Sequence, residues 1–212
     1  MCTHSTPNQA GITLIEVMVS IVLMSITLLG IAGLLSTTTK FQLGVETRSG
    51  VTYLFNDLAG RIRANLDKTD VSDRTTWAAH YTGLTVASST WSAQQTMSTT
   101  PGSLCGTGAT AGSACTRAQT AELDVAEIRA SLGRMVPQPA LQLTGNANDG
   151  LLATFIWFDK DFTVIADGQI TLDTSPTCGD TTTNLGQQSC CPAAAGVGET
   201  PGVRCLNLRF VP

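Results

Sequence analysis

The chain has 212 residues, a net charge of −4 and only 13% charged residues. That length accommodates one domain with an appendage and hardly two full domains. No basic cluster exists to support nucleic-acid binding, and two histidines, His4 and His80, leave little material for imidazole catalysis or a His-rich metal site.

Residues 1–11, MCTHSTPNQAG, form a short polar leader that ends in Gly11. An apolar run follows from Ile12 to Leu35, and no charge occurs between Val17 and Thr39. As a helix that run would extend about 36 Å, enough for a hydrocarbon core of roughly 30 Å. It is too long for a secretory apolar region of about 7–15 residues. The segment therefore reads as one that enters a membrane. Glu16 sits about one turn inside it. A carboxylate at the centre of such a helix costs about 2.5–3.5 kcal/mol on insertion scales, and less near an end. A neighbouring cation would offset that cost.

Beyond Lys40 the pattern changes. Val51, Leu54, Phe55, Leu58, Ile62 and Leu66 recur at spacings of three and four, with Arg48, Asp57, Arg61 and Arg63 mostly off the stripe. No proline occurs between Ile12 and Trp77. One long helix from about Ile12 to Leu66 is predicted, loosened at most by Gly30, Gly33, Gly44 and Gly50. Its first half, residues 12–35, is apolar all round and suits lipid or other apolar helices. Its amphipathic continuation, residues 36–67, suits a packed domain over residues 68–212.

Asp70 to Thr116 is rich in Ser, Thr, Gly and Ala, and reads as loop with one strand over Tyr81–Ala87. Thr116 and Gln119 fit a capping box, so a second helix is predicted over Arg117–Gly133, ended by Pro137 and Pro139. Leu151–Phe158 is strand-like. Phe162–Asp173 reads as a hairpin turning at Asp167-Gly168, and Arg204–Phe210 as a last strand. Helices followed by three or four antiparallel strands give an α+β domain.

Two chemical motifs fail on context. Gly106 to Ala111 fits G-x-G-x-x-A, but no strand precedes it and no helix begins there. Asp159, Asp161 and Asp167 lack the Gly and terminal Glu of a calcium loop, and read as turn residues. No nucleophile–base arrangement stands out, and no cofactor or metal is implied.

Seven cysteines occur. Cys2 precedes the apolar run; Cys105, Cys115, Cys178, Cys190, Cys191 and Cys205 follow it. With the N-terminus cytoplasmic, those six lie in an oxidising compartment, an even number suited to disulfides. Cys105 and Cys115 would staple a flexible loop. The adjacent Cys190-Cys191 pair argues against a four-thiolate zinc site, whose ligands prefer intervening residues. The last four cysteines allow three pairings. One closes a strained ring between Cys190 and Cys191; the other two fasten the loop 175–202 to the last strand.

Gly11 followed by Ile12-Thr13-Leu14-Ile15-Glu16 and some twenty uncharged residues resembles the signal of type IV prepilins. The resemblance implies cleavage after Gly11 by a prepilin peptidase, N-methylation of the new amine on Ile12, and a Glu16 that pairs with such an amine, on its own subunit or a neighbour. It implies a pilin-like fold, with a long N-terminal helix packed on a small antiparallel sheet. Pilins often close their C-terminal region with a disulfide. The leader departs from the pattern in having no Lys or Arg, so positive-inside bias opposes the cytoplasmic orientation that the cleavage motif requires; the motif is the more specific signal. Ile12 stands where Phe or Met is commoner.

LLGIAGLL, from Leu28, and Leu58 to Asn65, LAGRIRAN, resemble the PilV-type minor pilins, or pilus modification proteins, with Gly60 in place of an Asp. Cys115 to Pro137 resembles that group's second helix. The implied role is that of a minor pilin in the inner membrane and the pilus, not an enzyme. It would support pilus assembly and hence twitching, attachment or DNA uptake. The implied partners are other major and minor pilins, the prepilin peptidase, the inner-membrane assembly platform and, before assembly, membrane lipid. Arg61 and Arg63 read either as a solvated helix face or as contacts to neighbouring pilins. A minor pseudopilin of type II secretion would share the helix and signal. A single-span periplasmic enzyme or binding protein would instead show convergent titratable residues in the head.

Overall fold

The computed structural model describes residues 11–66, 74–86, 91–95, 115–146, 148–179, 184–197 and 200–212. The leader before Gly11, Cys105 and the glycine-rich 106–111 segment lie outside these residues. The chain divides into two compact units, one reaching to Val45 and one from Glu46 to Pro212.

Helix α1 runs unbroken over Leu14–Ala64. Gly30, Gly33 and Gly44 do not interrupt it, and a methyl group at any of the three would meet open space. Every residue from Leu14 to Leu35 is exposed. From Glu46 onward the helix buries the stripe Val51, Leu54, Leu58, Ala59 and Ile62.

The rest of the second unit comprises α2 (Arg74–Val86), α3 (Trp91–Gln95), α4 (Arg117–Met135), β1 (Ala140–Asn146), β2 (Gly150–Phe158), β3 (Thr163–Ala166), β4 (Gln169–Leu172), α5 (Asn184–Ser189) and β5 (Val203–Phe210). Helix α4 begins with the full capping box: Thr116 Oγ1 accepts from the Gln119 N–H, and Gln119 Oε1 accepts from the Thr116 N–H.

The strand expected over Tyr81–Ala87 is instead helical from Tyr81 to Val86, the second half of α2; Ala87 lies outside the described residues. Threonines and Gly83 favour strand or loop locally, but Trp77, Ala78 and Tyr81 lie at i, i+1 and i+4 and all three are buried. Packing of that face overrides weak helix propensity. Strand β1 and the short helices α3 and α5 carried no clear sequence signal.

β1, β2 and β5 form an antiparallel sheet with β2 in the centre. Its register places Leu141 opposite Phe155, Leu143 opposite Ala153 and Leu151 opposite Phe210. Side chains alternate between faces, so these residues share one face. They meet the α1 stripe, Trp77 and Tyr81 of α2, and Val125, Ile128 and Leu132 of α4 in one core. The opposite face carries Ala140, Ile156, Val203 and Cys205, packed with Cys191, Ala195 and Val197 in a second, smaller core.

That second face is covered by the irregular segment leading to β5. Two disulfides hold it, Cys178–Cys190 and Cys191–Cys205. The adjacent cysteines thus take separate partners, and one bond reaches the last strand. Cys115 is also disulfide-bonded. A polar row across the sheet completes the attachment. Gln142, Thr154 and Asn207 are cross-strand neighbours and all are buried. Thr154 Oγ1 donates to Asn207 Oδ1 at 2.8 Å. Asn207 Nδ2 donates to the carbonyls of Gln187 and Cys190, both at 2.7 Å, and Gln142 Nε2 donates to that of Ala194. Buried carbonyls of a loop without a strand ladder are satisfied by side chains instead.

Turn chemistry follows the sequence closely. Asp167 and Gly168 both have positive φ, 51° and 76°, the requirement of a two-residue primed turn. Asp159 accepts the Asp161 N–H at 3.0 Å and an Arg204 N–H at 3.1 Å. Gly150 has φ +96°, and a Cβ there would lie 2.9 Å from the Phe210 carbonyl oxygen. Gly150→Ala is expected to destabilise the chain by about 2–3 kcal/mol. Gly83→Ala, in open space on α2, should be neutral or stabilising by up to about 1 kcal/mol. Denaturant midpoints of the detergent-solubilised chain read both; equal midpoints for the two variants would contradict the assigned backbone at Gly150.

Candidate functional site

The start of α1 is built for an apolar environment. Gly11, Ile12 and Thr13 precede the helix, and the Thr13 carbonyl accepts from the N–H groups of Glu16 and Val17 at 3.0 and 3.3 Å. Glu16 therefore lies in the first turn, where the helix dipole favours a negative charge. Its carboxylate is exposed and makes no ion pair among the described residues. It shares one side of the helix with Ile12, Ser20 and Met24.

Along this part of α1, Ser and Thr hydroxyls bond within the helix. Ser20 donates to the Glu16 carbonyl at 2.7 Å, Ser25 to Ile21 at 2.7 Å, Thr27 to Leu23 at 2.9 Å and Thr39 to Leu35 at 2.8 Å. Back-bonded Ser and Thr offer no free donor to their surroundings. Glu16 is then the one charged group between Ile12 and Thr39. The helix is long and apolar enough to cross a membrane, with none of its apolar window buried in the chain itself.

The pattern described as the prokaryotic N-terminal methylation motif matches residues 6–32. The chain carries that motif. It indicates a type IV pilin or pseudopilin, and the long apolar helix, small antiparallel sheet and disulfides make a type IV pilin-like α+β fold. Processing by a prepilin peptidase, assembly with other pilins and membrane anchoring follow from the motif at that level. No curated protein and no solved structure matches the chain.

The far end of the pilin-like helix holds a second cluster, which the sequence reading missed. Arg61 is half-buried and engaged within its own chain. Its guanidinium donates to Asp57 one turn earlier at 3.2 Å, and to Asp124 at 3.3 Å and Glu127 on α4. Burial works against the Arg61 charge, but hydrogen bonds to Glu127, Asp57 and Asp124 outweigh it and hold the pKa above the ordinary value. Tyr81 Oη donates to Asp124 at 2.8 Å and accepts from Asn65 Nδ2 at 3.0 Å. Asn65 also donates to the Arg117 carbonyl at 3.2 Å. Burial, followed by the bond to Asp124, pushes the Tyr81 hydroxyl upward despite the Asn65 contact. Arg129 on α4 reaches the Leu84 carbonyl of α2 at 3.2 Å, and burial lowers its pKa. Arg63 lies over the Phe210 ring at 5.7 Å and donates to the Val211 carbonyl at 3.3 Å. The signal for this cluster was present as Asp57-x-x-x-Arg61 spacing, but its partners lie on α2 and α4, beyond any local pattern.

The cluster joins three helices with polar contacts at the edge of the main core. Asp124 is buried, and burial raises its pKa despite the bonds from Tyr81 and Arg61. The folded chain thus binds this proton more tightly than the unfolded chain. Its contribution to stability is full below the ordinary carboxylate value of 3.8 and is lost as pH rises through the folded value. Apart from a constant offset, Asp124→Asn should therefore gain on wild type as pH rises from 3.8 and level off above the folded value. Urea midpoints of the two chains across that range check the sign; a difference that falls with pH would refute it.

Proposed function

We propose that the protein is a minor type IV pilin, a structural and assembly subunit of the pilus rather than an enzyme. The observation that carries this reading is the Gly11–Glu16 string at the head of an exposed apolar helix. The same helix continues into the core of an α+β head. In this reading a prepilin peptidase cuts between Gly11 and Ile12 and methylates the Ile12 amine. The segment 12–35 anchors the subunit in the inner membrane and then packs among the apolar helices of other pilins. The stretch 36–67 carries the head, residues 68–212, outside the membrane. The LLGIAGLL and LAGRIRAN strings favour a PilV-type pilus subunit over a pseudopilin of type II secretion.

Glu16 receives a role from the same chemistry. Cleavage creates an amine on Ile12, which makes Glu16 the fifth residue of the cut chain, and subunits packed side by side bring amines of neighbours near it. Pairing neutralises the one charge that the apolar segment buries. Removing one member of a buried ion pair costs about 3–5 kcal/mol, less where water reaches it.

Mass analysis of the N-terminus, on protein from its native cell, should show N-methylated Ile12. Intact Met1, or a cut after Gly33, would refute the processing. Glu16→Gln should insert and be cut as wild type, because Gly11 and the apolar run are unchanged. It should then remain in the membrane, lowering the ratio of sheared to membrane-bound protein about tenfold or more. An unchanged ratio at matched expression would refute the pairing. Deletion of the gene should reduce surface pili; intact pili with impaired protein secretion would favour the pseudopilin.

A further inference from the structure

The two disulfides near the C-terminus use adjacent cysteines but have different surroundings. Cys191–Cys205 lies inside the second core, with Cys191 3% and Cys205 4% exposed. Ala140, Ile156, Ala195, Val197 and Val203 pack with it. In Cys178–Cys190 one end is open. Cys190 is fully buried, whereas Cys178 is half-buried, between the exposed Thr177 and Gly179. Exchange requires a thiolate to reach one sulfur of the bond. Of these four cysteines, Cys178 is the one that gives such access.

The surroundings also favour one direction of cleavage. Asn207 Nδ2 lies 3.6 Å from Cys178 Sγ and 3.8 Å from Cys190 Sγ. Attack on Cys178 expels Cys190 as a thiolate beside that donor. A donor or positive dipole at the sulfur lowers the thiol's pKa, and a thiol of lower pKa leaves faster. The apolar packing around Cys191 and Cys205 acts the other way.

What the open bond holds is α5. Leu185, Gln187, Gln188 and Ser189 are all exposed, so their burial does not fasten the helix. It is tied instead by Asn207, which donates to the carbonyls of Gln187 and Cys190, and by the disulfide to Cys178. The other end of that disulfide is anchored separately. Cys178 N–H donates to the Cys191 carbonyl at 3.0 Å, and Cys191 N–H to that of Pro176 at 2.8 Å. Cys191 is bonded in turn to Cys205 on β5. Breaking Cys178–Cys190 therefore leaves segment 176–178 in place and loosens α5.

We propose that Cys178–Cys190 is a site of thiol–disulfide exchange with a protein dithiol, attacked at Cys178, and that the bond latches α5 to the sheet. A thiolate of the partner bonds to Cys178 Sγ as the Cys178–Cys190 bond breaks. The electron pair stays on Cys190 Sγ, which takes a proton from water. The partner's second thiolate then attacks the partner's own sulfur in the mixed disulfide. Cys178 leaves as a thiolate and is protonated by water. The chain's disulfide is reduced to two thiols, and the dithiol is oxidised to a disulfide. Cys191–Cys205 takes no part. The site lies wholly within the second unit and does not rest on cleavage at Gly11.

The probe is thioredoxin whose resolving cysteine is replaced by serine, so that the mixed disulfide persists. It is reacted with the oxidised full chain in detergent, and fragment masses locate the adduct. Expected is an adduct on Cys178, with Cys190 open to alkylation. In a parallel dithiothreitol time course, Cys178 and Cys190 should become alkylated about tenfold faster than Cys191 and Cys205, or more. Amides of residues 184–189 should then exchange hydrogen about tenfold faster, while those of β5 keep their rates. An adduct on Cys190, Cys191 or Cys205, no adduct, or joint reduction of both bonds would overturn the exchange site. Unchanged hydrogen exchange over 184–189 after selective reduction would overturn the latch.

Discussion

Burial of one stripe of α1 is the contact on which the second unit depends. Val51, Leu54, Leu58 and Ile62 are almost wholly buried, against α2, α4 and the face of the sheet that carries Leu141, Phe155 and Phe210. Each such side chain contributes about 1.5–3 kcal/mol relative to exposure. The stripe also determines what may pack beside it. Trp77 and Tyr81 reach it only from a helix, and Leu141, Phe155 and Phe210 only from strands in the observed register. A one-residue slip of β2 would turn Phe155 and Trp157 away from the helices.

The polar contacts serve alignment more than bulk stability. The Arg61 cluster is partly open to water, and exposed ion pairs contribute about 0–1 kcal/mol. Its geometry nevertheless couples α1 to α4 through Asp124 and Glu127, and to α2 through Tyr81 and Asn65. On the opposite face, Gln142, Thr154 and Asn207 replace a missing ladder by bonding loop carbonyls, while the disulfides limit how far that loop can leave the sheet. The sheet is thereby covered on both sides although the long helices α1, α2 and α4 cover only one.

The two halves of α1 answer to different surroundings. From Ile12 to Leu35 no side chain is buried within the chain, and the hydroxyls of Ser20, Ser25 and Thr27 are satisfied by the helix backbone. Such a surface suits lipid or equally apolar helices, where unsatisfied polar groups are costly. Glu16 is the exception; the first turn favours its negative charge, and in the proposed reading an amine freed by cleavage would pair with it.

Local pattern determined the motif around Gly11 and Glu16, the length of α1, the capped start of α4, the β3–β4 turn and the strands β2 and β5. Each depends on neighbours in sequence: an unbroken apolar run, Thr116 with Gln119, Asp167 with Gly168, β-branched and aromatic stretches. Tertiary structure decided the rest. Trp77 and Tyr81 made a helix of a threonine-rich segment because their burial outweighs local propensity. Asn207 and Thr154 became a buried hinge of the polar row only through strand pairing. Arg61 became an intramolecular tie because Asp124 and Glu127, more than sixty residues away, were brought to it by helix packing. The pairing of four cysteines was settled by which sulfurs the loop places together, a distance that spacing along the chain does not encode.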